Sequence, residues 1–460
     1  NSVVYPMPGS QSQPPVLCAG CLGSNTSGQL NDGLPTYPYG SPIASHVGRY
    51  VDSQTTANYQ NLGFRTARAR TIRTFSQANG QAPPRVYIQI GNAVGAYALD
   101  TFFSTKLPAG PVSVGGVKTG SPVGGFGRSP LEKITMWDGF FYPEALASGW
   151  YTPVIDQQDP MAKGGPFDVD DRGYIYGSWP TFGWGIARDD GRTDATHFPK
   201  VVQMVYSIAG IDQTQYPNTQ ADPSGVTPNS ILAIPSGGRY YAVIAGSSNS
   251  SAVFDVTVPA APLYLAKYPG TSKAILRYDR SDAHQRVAYV DVTRNLQVYS
   301  YDALVSGGAP MASEAKSDGG FRDVAIDDAG NIWAIESTRL VKLTPSGGGF
   351  VTTSYPSPFG SSFGSMSVLA VGAGHLAVAG VTTAGTVAED VRLATIGAGA
   401  PVEVPLGGFF KNYYFGGAPG FAEPGPYTQP FDLHLISWNG KTYLMNSAEG
   451  LGDVFEIQTP

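Results

Sequence analysis

Charge is what this chain has least of. Charged residues fill 14% of its 460 positions, against roughly a quarter in ordinary soluble domains. Glu, Lys and Arg gather on helix surfaces, so the shortfall excludes a protein built of long amphipathic helices. Lys and Arg number 29 against 35 Asp and Glu, a net charge of −6 with no basic block. Nucleic acid is thereby excluded as a partner, because its binding needs clustered cations to displace counterions. Cysteine occurs only twice, too seldom for a disulfide framework. No apolar run reaches the ~18 residues of a spanning helix, so no transmembrane segment is expected. HExxH and Walker loops are absent. The five histidines (His46, His197, His284, His375 and His434) fall at no metal-ligand spacing.

What the chain has in excess is Gly (58) and Pro (37), the residues of turns. The turns follow a pattern. "DVAIDDAGNIWAIES", from Asp323, reads as a short apolar strand, an Asp–Gly turn and a second apolar strand. The same pattern recurs in "FDVDDRGYIYGSW" from Phe167, "ILAIPSGGRYYAVIAG" from Ile231, "VLAVGAGHLAVAG" from Val368 and "LHLISWNGKTYLMNS" from Leu433. Weaker copies are "VYIQIGNAVGAYALD" from Val86 and "RVAYVDVTRNLQVYSYD" from Arg286. Gly173, Gly238, Gly330, Gly374 and Gly440 mark the turns, where a tight hairpin needs positive φ. Successive copies start roughly 35 to 80 residues apart, the short spacings fitting a bare four-stranded blade and the long ones a blade with inserted loops.

This repetition predicts an all-β fold, a β-propeller of about seven four-stranded blades within a range of six to eight. A pair of β-sandwiches is the alternative. Residues 1–33 lack strand periodicity and are expected to form an extended N-terminal arm, with 34–460 a single propeller domain with long inter-blade loops. The ring should close by pairing the last strand, "DVFEIQ" from Asp453, with an early one such as "ASHVGRYVDS" or "FRTARARTIRTF". The Arg-rich second segment reads as a solvated edge strand. Helical pattern is confined to "PEALASGW", from Pro143.

"DVAIDDAGNIWAIES" and "FDVDDRGYIYGSW" also resemble the blade motif of the NHL, gluconolactonase-like and virginiamycin-lyase-like propellers, a strand leading into D.D.GN and an aromatic. The resemblance covers about thirty residues and implies a fold superfamily. The lactonases among these hold an axial metal on acidic and Asn ligands, and no such set can be matched here residue by residue.

The chemical candidates each have a plain counterpart. Cys18 and Cys21 form "CAGC", read as a small disulfide loop in preference to a redox or zinc pair. The acidic turns at Asp168, Asp170, Asp171, Asp327 and Asp328 have the oxygen chemistry of calcium ligands, but Asp also caps tight turns with its own side chain. Asp168, Asp170 and Glu336 are kept as metal candidates; no cofactor is expected, with calcium the alternative. The aromatic loops stand out most: Trp137, Phe140, Phe141, Tyr142 and Trp150, then Trp179 and Trp184, then Phe409, Phe410, Tyr413 and Tyr414. Exposed aromatics bury much apolar area at low entropic cost, which suits a protein interface or stacking on sugar rings. No catalytic residue can be assigned. The expected function is a non-catalytic docking or assembly propeller, binding a protein partner or its own copies. A metal-dependent lactonase- or lyase-like enzyme and a carbohydrate-binding propeller are the alternatives. The chain opens at "NSVVYPMPG" without Met, and its polar but weakly charged composition points to export to the periplasm, cell surface or medium, in a bacterium.

Overall fold

Several repeats hold an apolar run with no polar gap, as in "ILAI" of 231–234, which is what a strand covered on both faces requires. The computed structural model bears this out. It describes most residues of 167–404 together with 432–448 and 451–457, and before these seven strands within 4–136. Among the described residues, seven sheets contain at least four strands each, with a separate two-stranded pairing of Val4–Tyr5 and Val16–Leu17. In chain order sheet one covers 168–221, sheet two 228–269, sheet three 275–314, sheet four 323–356, sheet five 363–404 and sheet six 432–457. Sheet seven lies earlier, within 72–136.

Within a sheet the strands follow in sequence order, save that sheet six takes its fourth strand from early in the chain, and with one exception they are antiparallel. The first strands touch one another in succession, one to two and onward to seven and back to one, so they form a closed inner ring. The fourth strands lie outside. In sheet two the inner strand Pro228–Ser236 is almost wholly buried, whereas the outer strand Leu263–Pro269 alternates exposed and half-buried. The exception is Thr219–Ala221, a fifth strand that pairs parallel to the outer edge of sheet one.

The hydrophobic core is divided into slabs between successive sheets. Ile231, Ala233, Ala242 and Ile244 of sheet two pack against Trp184 and Ile186 of sheet one. Their sequence neighbours Leu232, Ile234, Val243 and Ala245 pack the other way, against Val287 and Tyr289 of sheet three. Sheet four divides likewise, with Trp333 and Ile335 toward sheet five and Ile332 and Ala334 toward sheet three. Side chains alternate across a strand, so a doubly covered sheet must be apolar at odd and even positions alike. This is why the chain carries so little charge.

The ring closes as expected. Ala44–Val51 pairs antiparallel with Leu451–Ile457 and supplies the fourth strand of sheet six. "IRTF" (Ile72–Phe75) is instead the first strand of sheet seven. The one α-helix among the described residues was not foreseen: Tyr301–Ser306 follows the third strand of sheet three. Ser300 caps it by accepting from Ala303 N, and Gly307 ends it in the left-handed conformation. Tyr301 and Leu304 bury into the slab between sheets two and three. "PEALASGW" lies outside the described residues.

The repeats now separate into two kinds. The five strong copies join the first and second strands of their sheets, and their turn glycines have φ between 73° and 83°. The two weaker copies, from Val86 and Arg286, join the second and third strands. That difference of position is why their spacing looked irregular.

Inner-strand aspartates fasten neighbouring sheets. Asp168 of sheet one accepts from Ala233 N of sheet two at 3.0 Å. Asp279 of sheet three accepts from Ile326 N of sheet four, and Asp323 of sheet four from Leu369 N of sheet five, both at 2.9 Å. Arg280 of sheet three reaches past sheet two altogether. Its Nε donates to Asp168 Oδ2 at 2.9 Å and its Nη2 to Val169 O at 2.8 Å, while Nη1 meets Asp282.

Candidate functional site

The Asp turns work through one repeated device. Asp170 Oδ1 accepts from the amides of Arg172 and Tyr174, two and four residues on, and Oδ2 from the hydroxyl of Tyr176, six residues on. Asp327 does the same with the amides of Ala329 and Asn331 and with Trp333 Nε1. The aromatic of the motif is therefore the far end of a side-chain bridge, anchored on the carboxylate that opens the turn. Arg172 Nε and Nη2 bring the donors on Asp170 to five, more than the roughly four lone-pair sites of a carboxylate. Burial lifts this carboxyl above the ordinary aspartate range, with Arg172 pulling in the opposite direction.

The other metal candidates are engaged as well. Asp168 is taken by Arg280 and by backbone amides. Glu336 accepts from the amide and hydroxyl of Ser317, each at 2.6 Å, and from Arg339 Nε at 2.7 Å. Among the described residues no three His, Cys, Asp or Glu side chains converge as a metal site would need.

The aromatic candidates divide. Trp184 was expected on an exposed surface and is instead wholly buried, in edge contact with Phe254 at 4.9 Å between ring centroids. The cause is register: in Gly183–Arg188, Trp184 and Ile186 share the face that meets sheet two. Trp179 ends the second strand of sheet one. Trp137, Phe140, Phe141, Tyr142, Trp150, Phe409, Phe410, Tyr413 and Tyr414 lie outside the described residues, as do Cys18 and Cys21.

A different surface assembles where the turns of sheets one and two meet. "DDRGY" (170–174) and "GGRYY" (237–241) each set an arginine and a tyrosine around a hairpin glycine. Gly173, Gly237 and Gly238 all have positive φ, which lets each hairpin turn tightly. The Arg172 guanidinium lies 3.5 Å from the centroid of the Tyr240 ring and 4.9 Å from that of Tyr174. It also donates to the carbonyls of Val256 and Thr257, so it ties the two sheets together. The Tyr240 hydroxyl donates to Asp171 Oδ1 at 2.7 Å. Its pKa is pushed up to about 12, by burial first and then by that hydrogen bond and the charge behind it.

Next to Tyr240 in the chain, on the opposite face of the strand, stands Arg239, whose Nη1 donates to Asp255 Oδ2 at 2.9 Å. Asp255 is also bonded by the Thr257 amide. Burial works against its ionisation, but the Thr257 and Arg239 contacts outweigh it and hold the carboxyl below the usual range. The strand next outward places Leu263 opposite Asp255, with Leu265 at an irregularity of that pairing. Val258 follows Thr257. Val258, Leu263 and Leu265 are 62%, 60% and 45% exposed, half of the six large apolar residues exposed on the described surface. Leu263 shares the face of Asp255 and hence of Arg239, and exposed apolar residues at a strand end that also carries a cation have the composition of an interface.

No family model matches the chain, and no curated protein does. Solved structures do match. The ring of four-stranded sheets is itself the architecture of a β-propeller. The chain is similar to the Swd1 β-propeller domain of Myceliophteria thermophila, at 8% identity and a TM-score of 0.46 over 86% of this chain and 98% of that one. A chain of the Mitotic Checkpoint Complex matches at 8% identity and 0.48, over 86% and 90%. Raptor of Chaetomium thermophilum matches at 8% identity and 0.50, over 91% of this chain and 29% of that one. At such identity a propeller likeness carries the fold and no activity, since propellers host unrelated functions.

The corner was not singled out in the sequence. Its residues lie inside stretches whose periodicity marks them as scaffold, and nothing local tells that turns 69 residues apart, as Asp171 and Tyr240 are, touch. The available signal was the arginine placed beside a hairpin glycine in two repeats.

Proposed function

We propose that this protein is an exported, non-catalytic propeller that docks a protein partner at the corner of sheets one and two. The observation that carries the reading is the exposure of Val258, Leu263 and Leu265 at the end of sheet two where Arg239 pairs with Asp255. Apolar side chains left on a solvent-facing corner, flanked by the residue types enriched in binding hot spots, are better explained by a partner than by folding. The Asp–aromatic turns at 170–176 and 327–333 support a place near the NHL and gluconolactonase-like propellers within the superfamily. Export is supported by a composition rich in Ser, Thr, Gly and Tyr and poor in charge.

Native mass spectrometry of the protein purified from its source, with metal analysis of the same sample, tests the docking role. A partner-bearing or multimeric species that Leu263→Asp dissociates is the expected result. A monomer unaffected by that change, carrying one metal ion per chain, overturns it. Fractionation of the source cells tests export, with retention in the cytosol as the opposing result.

A further inference from the structure

The corner also says what kind of segment it fits. Resting on the docking reading above, we propose that it binds an extended chain segment that carries an acidic side chain close to an apolar one, the carboxylate held by Arg239 and the apolar group seated on Leu263 and Val258.

In two ion pairs at this corner the acid is turned inward and the guanidinium outward. Asp255 is 11% exposed and Arg239 64%; Asp170 is buried and Arg172 partly open. Asp171 is the remaining acid, and the Tyr240 hydroxyl donates to it. The corner of a chain of net charge −6 therefore shows an approaching partner its cations. The geometry of Arg239 is more specific. Among the described residues its hydrogen bond is the one from Nη1 to Asp255, which leaves the edge formed by Nε and Nη2 without a protein partner on a side chain that is 64% exposed. That edge carries two parallel N–H donors at the spacing of a carboxylate, the bidentate arrangement a lysine cannot offer. Asp255, held ionised by Thr257, fixes the other side of the guanidinium, so a carboxylate would meet a group already oriented. Leu263 faces Asp255 across the strand pair, placing the apolar contact one strand outward from the fork. A cationic segment would instead oppose Arg239 and Arg172.

The test uses the full chain and three labelled eight-residue peptides that alternate Leu with Glu, with Gln or with Lys, followed by fluorescence anisotropy. The Glu peptide should bind about tenfold or more tighter than the Gln peptide at low salt, and the advantage should shrink at high salt. Arg239→Gln should erase the preference while leaving residual binding. Arg239→Lys should keep only part of it, since it retains the charge but not the fork. Equal binding of the Glu and Gln peptides, a preference that survives Arg239→Gln, or no binding of the Glu peptide at about 1 mM overturns the proposal. The docking reading fails separately, if Leu263→Asp leaves both peptide binding and the assemblies from the source unchanged.

Discussion

Breaking the contact between Asp168 and Arg280 should weaken the ring measurably, and by an amount that can be worked out beforehand. Both side chains are buried, at 0% and 4% exposure. They join sheets one and three across sheet two. In Arg280→Met, Asp168 loses the guanidinium bond at 2.9 Å and keeps the amides of Val169 and Ala233. Leaving a buried charge without its ionic partner costs about 3–5 kcal/mol. Unfolding entropy is about 2.1 cal/mol/K per residue. For the 460-residue chain that makes one degree of melting temperature worth about 1 kcal/mol. The expected loss is therefore about 3–5 °C, read by calorimetry at a fixed scan rate. Asp168→Asn should cost a similar amount, because Arg280 then lacks its charge partner. The double variant should lose much less than the two single losses combined, since each change removes the same interaction. Single variants that melt within about 1 °C of the parent, or a double variant with additive losses, would refute the view that this pair clamps the inner ring.

Further outcomes follow from other contacts. Gly330 has φ 78°, and an added Cβ would stand 3.0 Å from the His284 ring, whereas Gly238 has φ 73° and open space around it. Gly330→Ala should thus destabilise by more than the ~1–2 kcal/mol of left-handed strain alone, and Gly238→Ala by that strain alone, as compared in thermal melts. Tyr240 titrates near 12 in the fold against 10 unfolded. Its raised value means that the stability it contributes is whole below pH 10 and is lost as pH rises through 12. Tyr240→Phe should flatten that part of the melting-temperature profile, and an unchanged slope would count against the Asp171 contact. Deleting residues 1–51 removes the fourth strand of sheet six and should abolish the cooperative melting transition, whereas deleting 1–43 should preserve it. Equal loss from both deletions would mean that the closure depends on more than the Ala44–Val51 strand.

The architecture was legible because a sheet covered on both faces leaves a local trace. Every repeat read from the sequence is a real hairpin, and the glycines assigned to the strong turns do adopt positive φ. The closing strand at Ala44 was legible too, since a ring needs a partner for its last strand. The corner of sheets one and two was not. It depends on contacts such as Arg172 to Thr257, which join residues 85 apart that carry no shared pattern. Trp184 was misread for a related reason. A tryptophan between repeats looks like a loop aromatic until register assigns it to an inward face. The carboxylates Asp168, Asp170 and Glu336 are unusual in being buried, and sequence shows the acid without showing the donors that surround it.

The pairing of Val51 with Leu451 also sets a timetable. At about 5–20 residues per second, synthesis takes roughly 20–80 s to travel from the first of these residues to the second. Sheets two to five are continuous in sequence and can assemble as they emerge. The early strand cannot, because its place in sheet six is made last. For that interval the nascent chain carries a strand without its sheet and an arc of blades with open ends, the form most exposed to mispairing with a neighbour. A ring fastened this way places its demand for chaperones on the newborn chain, before the finished protein ever meets a partner.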